Sequence, residues 1–144
     1  MKLIPTLLLL SLLLPAQAAR RIGDAQVRMD ANGQPCFTIS EREEKRGGTP
    51  DFQAITVSEG ARILWRMAMP RDRTFPVSFS MCIPYGGRVT ALPQTPAADL
   101  GEGKTYSVEI EARPGKSVAM PLRYQTQFCL DPRRKRVLAP CRIP

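Results

Sequence analysis

The sequence predicts an all-β fold: a single antiparallel β-sandwich of about seven or eight short strands, stapled by disulfides and preceded by a signal peptide. Three observations predict it. Apolar and polar residues alternate with period two in one short segment after another, whereas no stretch of about 11 residues or more carries a helical period. Turn-forming pairs, among them Asn32-Gly33, Glu59-Gly60 and Pro114-Gly115, separate those segments. Four cysteines without a Cys-x-x-Cys follow an apolar leader, which is the pattern of an exported, disulfide-bonded chain.

The leader spans residues 1–18. Lys2 gives a short positive start, residues 3–14 are almost purely apolar, Pro15 breaks the run, and Ala16-Gln17-Ala18 has the small-x-small form of a cleavage site. A membrane anchor would need roughly 20 apolar residues, and this run has 12. The expectation is export to the periplasm with cleavage after Ala18 and no transmembrane segment in the remainder. Removing the leader leaves 126 residues as one domain, 19–144, and with Lys2 gone the formal charge falls from +8 to +7.

Val27 to Asp30 alternates and runs into Asn32-Gly33, a tight-hairpin signal, after which Phe37-Thr38-Ile39 resumes the alternation. Residues 41–50 read as a charged, glycine-rich loop, whose Glu-Arg-Glu-Glu-Lys-Arg run could start a helical turn before Gly47, Gly48 and Pro50 stop it. Ile55-Thr56-Val57 is a short strand. The next strand places Ile63, Trp65, Met67 and Met69 on one face, with Arg62 and Arg66 on the other. Residues 70–76 form a basic loop, and Val77, Phe79, Met81 and Ile83 make another inward stripe. Residues 84–103 are a long connection rich in proline and glycine. Tyr106, Val108 and Ile110 alternate with Ser107, Glu109 and Glu111. Val118, Met120, Leu122, Tyr124, Phe128 and Leu130 share one parity, and a residual strand covers Val137 to Ala139. The expected core is Phe37, Ile63, Trp65, Phe79, Val108, Tyr124 and Phe128.

Cys36, Cys82 and Cys129 each fall out of phase with their apolar neighbours, which puts them on the face away from the core. An immunoglobulin-type core disulfide requires the opposite phase, so Trp65 reads as core filler and not as part of that signature. Cys129 and Cys141 lie close enough in sequence to staple the C-terminal tail, leaving Cys36 with Cys82. Three connectivities are open to four cysteines.

The chain has no histidine. That excludes Ser-His-Asp and Cys-His triads, histidine-ligated metals and a histidine general base. Glu41, Glu43 and Glu44 are the densest carboxylates, but they sit among Arg42, Lys45 and Arg46 as a mixed surface run. Glu109 and Glu111 read as an exposed strand face. Neither Ser40 nor Ser117 stands in a nucleophile motif, and Tyr85-Gly86-Gly87 lacks the lysine and helix of a phosphate loop. No catalytic set, metal site or cofactor is expected. The basic stretches, residues 62–73 and Arg133-Arg134-Lys135-Arg136, suit an anionic partner, whether anionic lipid headgroups, lipopolysaccharide or an acidic protein surface, and they equally suit a charge that merely keeps a small exported domain soluble. Nucleic acid is disfavoured because no aromatic interleaves with the C-terminal run. Arg62, Arg66, Arg71 and Arg73 are the candidate partner-binding residues.

One order of motifs runs through most of the mature chain. It begins with Asn32-Gly33-Gln34-Pro35-Cys36-Phe37-Thr38-Ile39 and continues through Ile55-Thr56-Val57, the Trp65 strand and Cys82-Ile83-Pro84-Tyr85-Gly86. Tyr106-Ser107-Val108, Tyr124 and Phe128-Cys129-Leu130 complete it. In that order the chain resembles a family of small bacterial periplasmic proteins described as type VI secretion system immunity proteins. Members of that family are often lipoproteins, and this chain departs by lacking a lipobox cysteine. The resemblance implies a non-catalytic toxin inhibitor that binds and neutralises an effector protein delivered into the periplasm. A structural or adaptor module of the envelope, pairing with partners through an exposed strand edge, is the alternative.

Overall fold

The computed structural model describes residues 20–87, 92–115, 117, 119–133 and 137–141. The segment read as a leader, Val118 and Arg134-Lys135-Arg136 of the basic C-terminal run lie outside the described residues. Among the described residues, eight strands and one short helix follow in chain order: β1 (Gly23–Met29), β2 (Pro35–Ile39), α1 (Glu41–Gly47), β3 (Phe52–Glu59), β4 (Arg62–Ala68), β5 (Ile83–Pro84), β6 (Thr105–Ala112), β7 (Arg123–Leu130) and β8 (Leu138–Ala139). Among the described residues, no helix is long and apolar enough to cross a membrane.

The protein is mostly β, but its strands do not divide into the two antiparallel sheets of the expected sandwich. They run in one hydrogen-bonded path, β4-β3-β6-β7-β1-β2-β5, with β8 added to β7. One link is parallel: Gly23 lies opposite Tyr124, and Asp24 opposite Gln125. Every other strand pair is antiparallel. The sheet curls until its two ends share a core, so Phe37 of β2 lies 6.3 Å from Trp65 of β4 and 5.7 Å from Phe128 of β7. The gap between the ends is laced by the connection after β5. Thr95 N–H and Ala98 N–H donate to the carbonyls of Arg66 and Leu64, and the Tyr85 hydroxyl donates to Ala98 O.

Period-two burial accounts for most of the core. Ile55 and Val57 face inward with Val108, Ile110 and Tyr124, and Phe37, Trp65 and Phe128 join them. Two expected core residues do not. Ile63 is 53% exposed because β4 carries a bulge: Val57 pairs with Trp65 but Ser58 pairs with Ile63, so Leu64 is the extra residue and turns inward in its place. Phe79 is only half-buried. Its segment is no continuous strand but an irregular cover laid on the outer face of β1 and β2. There Arg28 donates to Phe79 O at 2.7 Å and stacks over its ring at 4.9 Å, while Thr38 Oγ1 donates to Ser78 O. That cover is why all five residues of β2 are buried, including the outward Cys36 and Thr38.

The hairpin between β1 and β2 is wider than its Asn-Gly signal implies. Met29 pairs with Pro35, and Asp30 organises the turn by accepting from Asn32 N–H and Gln34 N–H, with Gly33 at φ 70°. Both disulfides follow one connectivity, Cys36–Cys82 and Cys129–Cys141, with Cα–Cα separations of 5.2 Å in each. The first fastens the outer cover to β2. The second ties the C-terminal segment to β7.

Candidate binding surface

Two groups of charged residues are fixed by side chains rather than by sheet bonding. The first is the acidic run read as a surface loop, and the structure corrects that reading. Residues 41–47 form α1, and Glu43 is 3% exposed. Ser40 caps the helix, its Oγ accepting from Glu43 N–H at 3.2 Å. The Glu43 carboxylate takes two hydrogen bonds from Arg21, each 2.8 Å, and one from Asp24 N–H at 3.1 Å. The Arg21 guanidinium holds its carboxyl below the usual carboxylate range against the opposing effect of burial, and Glu43 in turn raises Arg21. Glu44 accepts from Phe79 N–H, while Glu41 makes an exposed pair with Lys45. These acids join α1 to β1 and to the outer cover. Ser40-x-x-Glu43 is a helix-start pattern visible in the sequence, and it is the signal that would have found them.

The second group is the arginine loop. Pro70 O accepts from Arg73 N–H at 3.2 Å, closing a turn that leaves Arg71, Asp72 and Arg73 exposed. Beneath it lies Arg113, one residue past the end of β6. Its guanidinium donates to Arg71 O and Arg73 O at 2.6 Å each and also to Pro70 O. The turn's carbonyls therefore converge inward on a cation and its side chains project outward. Asp72 offsets one charge, so the three arginines leave the loop net positive. Thr74 Oγ1 donates to Phe52 O, and Phe75 stacks on Phe52 at 4.7 Å, which anchors the loop's far end.

The four arginines singled out in the sequence do not form one patch. Arg71 and Arg73 share this loop. Arg66 lies on the outer sheet face, 3.4 Å from the Glu111 carboxylate, so its charge is largely answered there. Glu109, on the same face, accepts from Gln125. Arg62 is exposed beside the β3–β4 turn, opposite Glu59, which itself pairs with Lys104 at 3.7 Å. Arg113, the residue that organises the loop, was not singled out.

The arrangement is that of a small disulfide-bonded β domain with a braced basic loop at one end of β6. Comparison with known protein families, with characterised proteins and with solved structures finds no match for the chain.

Proposed function

We propose that the protein is an exported, periplasmic immunity protein that inhibits a toxic effector by direct, stoichiometric binding without turnover. The observation that carries this reading is the brace under the arginine loop. Three main-chain carbonyls held by Arg113 fix Arg71 and Arg73 in place before any partner arrives, which reduces the ordering cost of binding. The two disulfides and the aromatic cluster of Phe37 with Trp65 and Phe128 add rigidity of the same kind. A sequence without histidine, and with its most acidic run committed to holding α1, agrees with binding in place of catalysis. The partner surface is anionic where it meets this loop.

The edge-pairing adaptor needs an unoccupied strand. The outer edge of β4 already accepts hydrogen bonds from Thr95 and Ala98, and β2 pairs with β5, so the braced loop favours the inhibitor.

The test is co-expression with a candidate effector, with and without residues 1–18. Protection that needs export and scales with the amount of this chain is the expected result. Protection by the cytoplasmic form, or by sub-stoichiometric amounts, overturns the reading.

A further inference from the structure

Lys and Arg outnumber Asp and Glu by 21 to 13, yet one cavity runs against that balance. It opens at the start of β6, has a volume of about 580 Å³, and among the described residues is lined by no Lys or Arg. Its inner wall is apolar: Met29 at the end of β1, Pro35 at the start of β2 and Leu130 at the end of β7, the last two buried. Tyr85 forms one side. The exposed carboxylates of Asp99 and Glu102 stand at the mouth.

The loop that carries those acids is held from within by two tyrosines. The Tyr85 hydroxyl donates to Ala98 O at 2.5 Å. The Tyr106 hydroxyl accepts from Gly101 N–H at 2.7 Å and donates to Gly101 O at 3.0 Å, and Tyr106 is 1% exposed. Burial pushes the Tyr85 hydroxyl up to about 12, so it stays a donor at any physiological pH. The two hydroxyls fix the loop through hydrogen bonds and bring no cation to it. Among the described residues no Lys or Arg pairs with Asp99 or Glu102, and neighbouring Lys104 is engaged with Glu59. Gly86 and Ala97 bring the two walls together so closely that a Cβ on Gly86 would stand 3.0 Å from that of Ala97.

We infer that this cavity docks an arginine or lysine side chain flanked by apolar residues, presented by an extended segment of the partner protein. The side chain's methylene stem packs on Met29 and Leu130, and its head reaches the two carboxylates. The inference rests on the partner being a protein, as proposed above, and specifies what that partner offers. Such a partner pairs an acidic patch with the arginine loop and a basic side chain with this mouth.

The test titrates the isotope-labelled mature chain with an acetylated Leu-Arg-Leu amide and with the same peptide carrying citrulline, which keeps the shape of arginine and drops the charge. Amide signals of Gly86, Leu100 and Leu130 shift with the arginine peptide, and the citrulline peptide binds roughly tenfold more weakly. The double variant Asp99→Asn, Glu102→Gln loses the preference for arginine while melting as the parent does. Equal binding of the two peptides, no shift at all, or shifts confined to residues 70–73 overturns the inference. Failure of the proposed function reads separately. If the double variant still protects against the effector, the cavity is not its docking site and immunity stands. If the parent fails to protect while the arginine peptide still binds, immunity falls and the cavity stands.

Discussion

The two loops at opposite ends of β6 are fixed in the same way and charged in opposite ways. Residues 70–73 hang on the guanidinium of Arg113, just past the strand's end, and residues 97–103 hang on the hydroxyl of Tyr106, near its start. Seven strand steps separate the two anchors, roughly 23 Å. In each case a side chain bonds main-chain groups that sheet bonding leaves over. The choice of anchor decides the electrostatics. A cation under the first loop adds to the charge of Arg71 and Arg73. A hydroxyl under the second adds no cation, and among the described residues no Lys or Arg pairs with Asp99 or Glu102. A loop can thus be braced without being neutralised, and this domain does so at both poles.

The largest expected effect removes the support common to both poles. Trp65 packs against Phe37 and Tyr85, and Trp65→Ala lowers stability by about 3–5 kcal/mol. Chemical denaturation reads this, and both loops lose protection together. A parent-like midpoint would show that the poles are secured independently.

Next in size is the Arg21–Glu43 pair, which belongs to neither pole. Arg21→Ala leaves a buried carboxylate short of its cation and costs on the order of 2–3 kcal/mol, the low side for a buried pair because Arg21 is partly exposed. The pair also sets the acid response. Because the Glu43 carboxyl is held below its ordinary value of 4.5, its stabilisation is complete above that value and is lost as pH falls through the lower folded one. At the other extreme burial pushes Tyr85 and Tyr124 up to about 12, so stability declines as pH rises from 10 towards 12. Melting followed across pH should show both limbs in the parent, and Arg21→Ala should blunt the acid one.

The anchors themselves come third. Arg113→Met costs about 1–2 kcal/mol and Tyr106→Phe about 1 kcal/mol, since solvent replaces part of what the loops lose. Hydrogen exchange separates them. The first variant speeds exchange in residues 70–73 alone, and the second in residues 97–103 alone. Crossed effects would mean that β6 transmits strain between its ends.

Smallest in stability is charge reversal on the arginine loop. Arg71→Glu with Arg73→Glu shifts the melting free energy by less than about 0.5 kcal/mol. Binding kinetics to the proposed effector are where it registers: association slows and loses its salt sensitivity, with dissociation little changed. A change confined to dissociation would place these arginines inside the interface instead of at its rim.

How much of this was legible depended on the range of each interaction. Alternation placed Phe37, Trp65, Val108, Tyr124 and Phe128 correctly, and the nearness of Cys129 to Cys141 in sequence suggested, among three open connectivities, the pairing that leaves Cys36 with Cys82. The bulge at Leu64 was not legible, because no glycine or turn residue marks it and a single added residue exchanges the faces. α1 is too short to show a period, although its Ser40 cap was in plain view. The parallel register of β1 on β7 joins residues remote in sequence and has no local signal. At the binding surface the arginines stood out as composition. Arg113 did not, because its acceptors are main-chain carbonyls some forty positions away, and Arg66 looked free until strand register brought Glu111 beside it.

That parallel register governs the order in which the chain can be completed. Gly23 fits against Tyr124 so closely that a Cβ would stand 2.6 Å from the ring. β1 closes a hairpin with β2 as soon as both exist, a local event of low entropic cost. Its place beside β7 waits until nearly the whole polypeptide has been made, since the two contacting residues lie at opposite ends of the described chain. Contacts of such long sequence separation slow folding. The earliest strand is therefore secured among the last.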